Sequence, residues 1–344
     1  MKQLRKKNHY VPECYLKRWA DSDQKVFGFK ILVAHPSISN WKKYYTKAIT
    51  YQKFLYVQLY SEHLSDEVET WLDKNFESPA NEALERATSD RKLSKDDWHK
   101  LINFLAAQDV RTPARLYEYL YSFQKIVPDI LKDVLSDLPE KLDKSHRIQG
   151  PISNGNIHPE FFPLRINTNI EPGADTGTLE AKTYIGRSTW LAGIRHLLES
   201  TSKHLHNHKW TILKPAQGFY WPTSDNPVVK LNYIDNNKYD LKGGWGKIKG
   251  NIIFPIGPEH ALFVQIGDRP YLKGTRLSVE KTKEMIKIIC ENANQMIISK
   301  NIDNSILQYR KRIIDPERIR KQKAELDGWH KVNLKMEQEY FPKK

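Results

Sequence analysis

Asn251-Ile252-Ile253-Phe254-Pro255, followed by Ala261-Leu262-Phe263-Val264, is the stretch whose reading decides the fold class. Both runs are short, β-branched or aromatic, and bounded by turn residues, which predicts strands. Trp210-Thr211-Ile212-Leu213 and Val228-Val229-Lys230-Leu231 have the same character, so a mainly antiparallel sheet is expected here. Downstream, 279–292 reads as a helix and Gln295-Met296-Ile297-Ile298-Ser299 as a last strand. Upstream, helical spacing dominates. Ser65 can cap a helix over 65–87 that Pro79 interrupts, and Ser94 caps another carrying Trp98, Leu101, Ile102 and Leu105. Pro113 should bend that pattern near Thr112, and further helices are expected over 128–138 and 178–205. Nearer the start, 11–20 reads as a short helix and 26–33 as a strand, while 42–60 has no clear period.

Helices first and strands later indicate an α+β class, with a helical N-terminal half packed against a mainly antiparallel sheet from the C-terminal half. The expected layout is one large domain over 1–309, helical to about 205 and sheet from about 206. A charged peripheral helix or arm then covers 310–344, and 144–177 is the best candidate for a linker or a long excursion. A chain of 344 residues, 39% hydrophobic, is ample for a core. No apolar stretch approaches the roughly 20 residues of a membrane span. The basic start, Met1 to Lys7, leads into no apolar segment, so no secretory signal is expected. Two cysteines, Cys14 and Cys290, rule out a disulfide framework and suggest a reducing, cytoplasmic setting. The formal net charge of +14 favours polyanions: nucleic acid, phosphorylated ligands or an anionic membrane surface. A solvated basic surface without a cognate partner is the plainer alternative.

Chemistry is sought first at Asn8-His9-Tyr10-Val11-Pro12. Tyr15, Leu16 and Trp19 follow at helical spacing and should pack, with Pro12 in the helix's first turn. His9 can serve as general acid or base near neutrality, donate to phosphate or bind metal; satisfying backbone carbonyls is the competing role. Gln108, Arg111 and Arg115 recur every three or four residues, so on one helix they would share a face able to clamp a phosphate or carboxylate. A solvated face paired with Asp109 or Glu118 is the plain alternative. Asp225 and Asn226, in Ser224-Asp225-Asn226-Pro227, either close a turn or present a carboxylate from a rigid strand edge, as metal sites and general bases require. The alternation His204, His206, His208 could bind metal only from a strand, and Gly243-Gly244-Trp245-Gly246-Lys247 lacks Walker spacing and reads as a hairpin loop. Glu69 and Glu77 stand roughly two turns (~12 Å) apart, too far to share a metal unless Pro79 reshapes the helix end. Lys42-Lys43-Tyr44-Tyr45 with Tyr51, Lys53, Phe54 and Tyr56 suits base stacking plus phosphate contact, or ordinary packing.

Asn8-His9-Tyr10-Val11-Pro12 with Tyr15-Leu16 and Trp19 resembles the opening motif of the bacterial domain-of-unknown-function family 4238. The resemblance continues through Gln108-Asp109-Val110-Arg111-Thr112-Pro113, Thr223-Ser224-Asp225-Asn226-Pro227-Val228, Phe254-Pro255-Ile256-Gly257-Pro258 and the helix bearing Asn292. These motifs keep the family's order, although Trp19 stands where the family usually has an aromatic such as Phe, and Gly257 where it has serine. The resemblance implies no activity; it marks which polar residues to follow.

Two functions fit. In one, the protein is a nucleic-acid-directed enzyme, a nuclease with His9 as general acid or base, Arg111 stabilising phosphorane charge and Asp225 binding a divalent metal or orienting His9. Asn8, Gln108, Arg115 and Asn226 would then contact substrate. In the other, it is a non-catalytic RNA- or DNA-binding module. Convergence of His9, Gln108, Arg111 and Asp225 on one pocket would favour the enzyme.

Overall fold

The computed structural model describes residues 4–60, 63–145, 163–170, 177–235 and 238–340. The remainder of the expected 144–177 linker, at 146–162 and 171–176, lies outside the described residues. The deciding stretch forms the middle of a six-stranded sheet. Its order is Tyr239–Asp240, Val229–Tyr233, Asn251–Gly257, His260–Gln265, Thr211–Lys214 and Thr275–Arg276. Every pairing is antiparallel except that of Thr211–Lys214 with Thr275–Arg276. Side chains alternate between its faces. Ile252, Phe254, Leu262 and Val264 point into a core shared with the helices, whereas Ile253, Ala261, Phe263 and Leu231 pack beneath the Val279–Asn292 helix. Covered on both sides, the Asn251–Gly257 strand is buried at every position, which is why it reads as a continuous apolar run.

The sheet content is not confined to the C-terminal half, so the expected division into a helical part to about 205 and a sheet part thereafter is corrected. Lys25–Lys30 lies between Met296–Ser299 and Trp41–Tyr45 in a four-stranded antiparallel sheet completed by Thr223–Ser224. Strands near the start thus pair with strands near the end. Lys7–His9 and Tyr51–Lys53 form a separate antiparallel ribbon. The segment over 42–60 shows no single period because it is broken into short strands, Trp41–Tyr45, Tyr51–Lys53 and Gln58–Tyr60.

The helices follow their signals with specific departures. Ser94 accepts from the Asp97 amide while Asp97 accepts from the Ser94 amide, a reciprocal cap for Lys95–Val110. Pro79 sits at the first turn of Ser78–Thr88, and a π-helical turn at Asp73–Glu77 absorbs the interruption that a missing amide imposes. Pro113 does more than bend its helix: Lys95–Val110 stops and Pro113–Ser145 begins afresh, running through the 128–138 segment. The expected 178–205 helix begins as the strand Gly177–Thr183, and helix starts only at Arg187. The charged C-terminal segment forms the helix Pro316–Tyr340, but it is not peripheral throughout. Glu337 is buried, and the Arg187 guanidinium donates to both its oxygens at 2.8 and 2.5 Å. Ser188 Oγ and the Leu59 amide complete the carboxylate's partners, and Asn333 accepts from the Arg187 amide at 2.9 Å. Among the described residues, no helix is long and apolar enough to cross a membrane.

Candidate functional site

Asn8 and His9 part company because a strand alternates its side chains. Asn8 turns inward and is fully buried; its Oδ1 accepts from the Tyr56 amide and its Nδ2 donates to the Arg5 carbonyl. The His9 ring turns outward, with Nε2 3.4 Å from the Lys47 carbonyl. Burial, then the Lys7 charge, holds its pKa below the usual 6.5, so it is neutral at pH 7. Arg111 is 1% exposed at the break between two helices, and its guanidinium grips this strand. Its Nε donates to the Tyr10 carbonyl at 3.0 Å and one terminal nitrogen to the His9 carbonyl at 2.6 Å; the other meets Glu77 at 2.5 Å. Tyr56 Oη donates to the Arg111 carbonyl. Tyr15 and Trp19 are core residues, as their spacing implies, tied by Oη to the Pro255 carbonyl and by Nε1 to the Trp221 carbonyl.

The expected Gln108–Arg111–Arg115 face does not form, since the helix ends between its members. Arg115 turns to Asp109 at 2.9 Å, to Glu118 at 2.7 Å and to the Val228 carbonyl. Asp109 also accepts from Lys230 at 2.7 Å and from the Trp245 indole. Gln108 lies fully buried with neither polar side-chain atom hydrogen-bonded among the described residues. Asp225 directly follows the edge strand Thr223–Ser224, but its carboxylate turns inward. It is 3% exposed and accepts from the backbone amides of Asn294, Gln295 and Met296 at 2.9–3.2 Å. Burial pushes its pKa up to about 6 against the pull of those amides. Asn226 and Asn292 exchange side-chain bonds with each other's carbonyls, and Thr112 Oγ1 donates to Asn226. The motifs therefore meet in one buried network, but the polar atoms of Arg111, Asp225 and Asn226 are engaged in holding backbone or one another. They do not face a common open pocket with the His9 ring.

Glu69 is the residue whose behaviour spacing alone could not reveal. Burial raises its carboxyl to about 7, against the Arg111 charge, and Glu77 adds to the rise. Its Oε2 is buried without a hydrogen-bond partner among the described residues. The π turn lies between Glu69 and Glu77, so the two-turn separation read from an ideal helix does not apply. Cys14, near Glu77, is pushed up to about 11 by burial and is no reactive thiolate. His204, His206 and His208 lie in and just beyond a 3-10 turn, not on a strand; His206 stacks on His99 at 4.0 Å and His208 meets the Trp245 carbonyl. Among the described residues, no group of three or more His, Cys, Asp or Glu side chains could hold a metal.

The exposed face is better organised. Lys7 pairs with Lys53 and His9 with Tyr51 across the ribbon, so all four side chains share its outer side. Lys7 Nζ lies 3.9 Å from the Tyr51 ring centroid and donates to the Lys47 carbonyl, which the His9 ring also faces. Lys47 continues to the Tyr45 ring, 5.9 Å away, over which Lys25 lies at 4.9 Å, and Lys43 lies 5.1 Å from Phe27. The result is a continuous strip of lysines and rings, with Tyr45 49% and Tyr51 37% exposed. Asp21 pairs with Lys43 and Asp23 with Lys25; among the described residues no acidic side chain pairs with Lys7, Lys47 or Lys53. Gln24, Thr50 and Phe54, which flank these strands, adopt φ of 60°, 52° and 58°, sparsely populated for such residues. Thr50 is held there by the Tyr10 amide donating to its carbonyl and by its own hydroxyl donating to the Val11 carbonyl. Of the aromatic stretch, Tyr56 belongs to the core while Tyr45 and Tyr51 belong to this face. Lys7 and Lys47 escaped the linear reading because the ribbon pairing brings them in.

The family described as "Protein of unknown function (DUF4238)" matches residues 7–303, and the chain belongs to it. Neither a curated protein nor a solved structure matches. The matched span stops short of the Pro316–Tyr340 helix, which Arg187 nonetheless anchors.

Proposed function

We propose that this member of the DUF4238 family binds single-stranded nucleic acid along the strip formed by Lys53, Lys7, Tyr51, His9, Lys47 and Tyr45. The observation that carries this reading is the pairing of exposed tyrosine rings, on one continuous surface, with lysines that have no acidic partner among the described residues. Phosphates would draw the ammonium groups off the rings, freeing the ring faces for bases; base–aromatic stacking contributes ~1–3 kcal/mol per base and tolerates any sequence. The backbone term is set by lysine charge and weakens with salt. Strain at Thr50, held by the Tyr10 amide and the Val11 carbonyl, supports a surface whose shape is maintained for use.

A second reading places a nuclease on the same strip, and the His9 imidazole favours it: outward-facing, beside Lys7, and neutral at pH 7, it can accept a proton. Arg111 would then contribute by holding the His9 and Tyr10 carbonyls, with a divalent metal supplied alongside the substrate. The test incubates purified protein with labelled RNA, single-stranded DNA and duplex DNA, with and without a divalent metal. Salt-sensitive binding of single strands that Tyr51→Ala weakens tenfold or more, without cleavage, supports the module. Cleavage abolished by His9→Ala supports the nuclease. Equal, negligible affinity for all three nucleic acids would overturn both.

A further inference from the structure

The lysine–tyrosine strip ends, at Tyr45, in a hollow of about 240 Å³ lined by Asp23, Gln24, Tyr45, Thr46 and Lys47. Two turns meet there. The first, over 21–24, enters the Lys25–Lys30 strand through Gln24 at its φ of 60°; the second, Thr46–Ala48, leaves the Trp41–Tyr45 strand. The Thr46 amide donates to the Gln24 carbonyl at 3.1 Å and ties the two together. Lys25 pairs with Tyr45 across the strands, so the tyrosine ring stands beside the first turn.

A carboxylate on a surface that draws phosphate opposes the charge of its neighbours, so each of the two present here needs its own account. Asp21 builds the turn: Oδ1 accepts from the Asp23 and Lys25 amides, and Oδ2 from Lys43 at 2.7 Å. Asp23 has no such task. Its side chain is 68% exposed, and among the described residues it meets only Lys25, at 3.5 Å. Its carboxylate therefore stands accessible beside an exposed ring and the Lys47 ammonium group. Guanine alone among the bases carries two adjacent donors, N1–H and N2–H, on its Watson–Crick edge. Adenine and cytosine set one donor beside an acceptor, and thymine or uracil one donor between two acceptors. A cavity of roughly 150 Å³ accommodates benzene, so the larger hollow has room for a two-ring base. Building on the single-strand binding described above, we propose that this hollow selects guanine. Tyr45 stacks on the base, the two Asp23 oxygens accept from N1–H and N2–H, and Lys47 meets an adjoining phosphate. Stacking on Tyr51 tolerates any base, so the sequence preference arises at this one position.

The test is competition against a labelled oligo-dT, followed by anisotropy, using unlabelled oligo-dT, the same oligomer with one central guanine, and the same with hypoxanthine, which lacks the N2 amine. The guanine oligomer should compete at least about fivefold better than oligo-dT, the lower end of what a bidentate base contact discriminates, and hypoxanthine should forfeit most of that gain. Asp23→Asn, which keeps one acceptor and loses the charge, should abolish the guanine preference while binding oligo-dT at least as tightly as wild type. Retained oligo-dT binding also shows that the variant is folded. Equal competition by guanine and thymine oligomers would overturn the guanine assignment and leave the strip standing. A preference that survives in Asp23→Asn, or that hypoxanthine matches in full, would overturn it too. Failure of the wild-type chain to bind labelled oligo-dT at low salt would remove the strip itself, and this assignment with it.

Discussion

Replacing Arg111 by lysine keeps the charge and removes the fork, which separates a structural grip from a simple electrostatic role. The wild-type guanidinium bonds the His9 and Tyr10 carbonyls and Glu77 simultaneously. A lysine ammonium at the same depth cannot reproduce that planar geometry. At least one carbonyl should lose its donor, and each buried group orphaned this way costs about 1–3 kcal/mol. Arg111→Lys is therefore expected to lower the unfolding free energy by about 2–3 kcal/mol. Arg111→Met, which also strands the Glu77 carboxylate, should cost about 4–6 kcal/mol. Urea unfolding followed by the fluorescence of the nine tryptophans gives the magnitude. Hydrogen exchange at residues 8–12 locates the loss. An unfolding midpoint for Arg111→Lys indistinguishable from wild type, with unchanged protection at Tyr10 and Val11, would refute the reasoning and return Arg111 to the list of groups free for a ligand.

Glu69, raised from 4.5 to about 7 in the folded chain, contributes stability that is complete below pH 4.5 and lost as pH rises through 7. Glu69→Gln should therefore unfold at higher urea than wild type at pH 8, by up to about 3 kcal/mol, and show no advantage at pH 4; the same gap at both pH values would contradict this. Asp225→Asn keeps only one acceptor oxygen for three amides and should cost about 2–4 kcal/mol in chemical denaturation, whereas a carboxylate reserved for chemistry would leave stability unchanged. Arg187→Met strands the buried Glu337 and should cost about 3–5 kcal/mol. Limited proteolysis should then cleave within the Pro316–Tyr340 helix first, and a cleavage pattern identical to wild type would count against the clamp.

Local signals in the sequence identified the elements they govern. Ser94 with Asp97, the short apolar runs around Ile253 and Phe263, and the spacing of Tyr15 and Trp19 each act over a few residues, so each was legible. What escaped depends on contacts distant in sequence. No feature of Lys25–Lys30 announces that its neighbour is Met296–Ser299, and that pairing mixes the two halves of the chain. Arg187 and Glu337 lie 150 residues apart and look like ordinary surface charges until the fold buries them together. The polar motif residues stand out in the sequence, but rarity there does not distinguish a group that grips backbone from one that meets a ligand. The two outcomes differ in where a side chain's bonds go. Asn8 and His9, adjacent in sequence, turn to opposite sides of one strand, the first inward to the Tyr56 amide and the second outward to the lysine-lined face.

The lysine–tyrosine strip is tested most directly by the salt dependence of binding to a fluorescent oligo-dT, measured by anisotropy. Four phosphate contacts, from Lys7, Lys47, Lys53 and one of the partly paired lysines, predict a log–log slope of about −3 for the wild-type chain. Lys7→Ala with Lys53→Ala should bring it to roughly −1.4, since each contact contributes about 0.7. A wild-type slope near zero, or one that the double substitution leaves unchanged, would contradict the assignment of this face to nucleic acid.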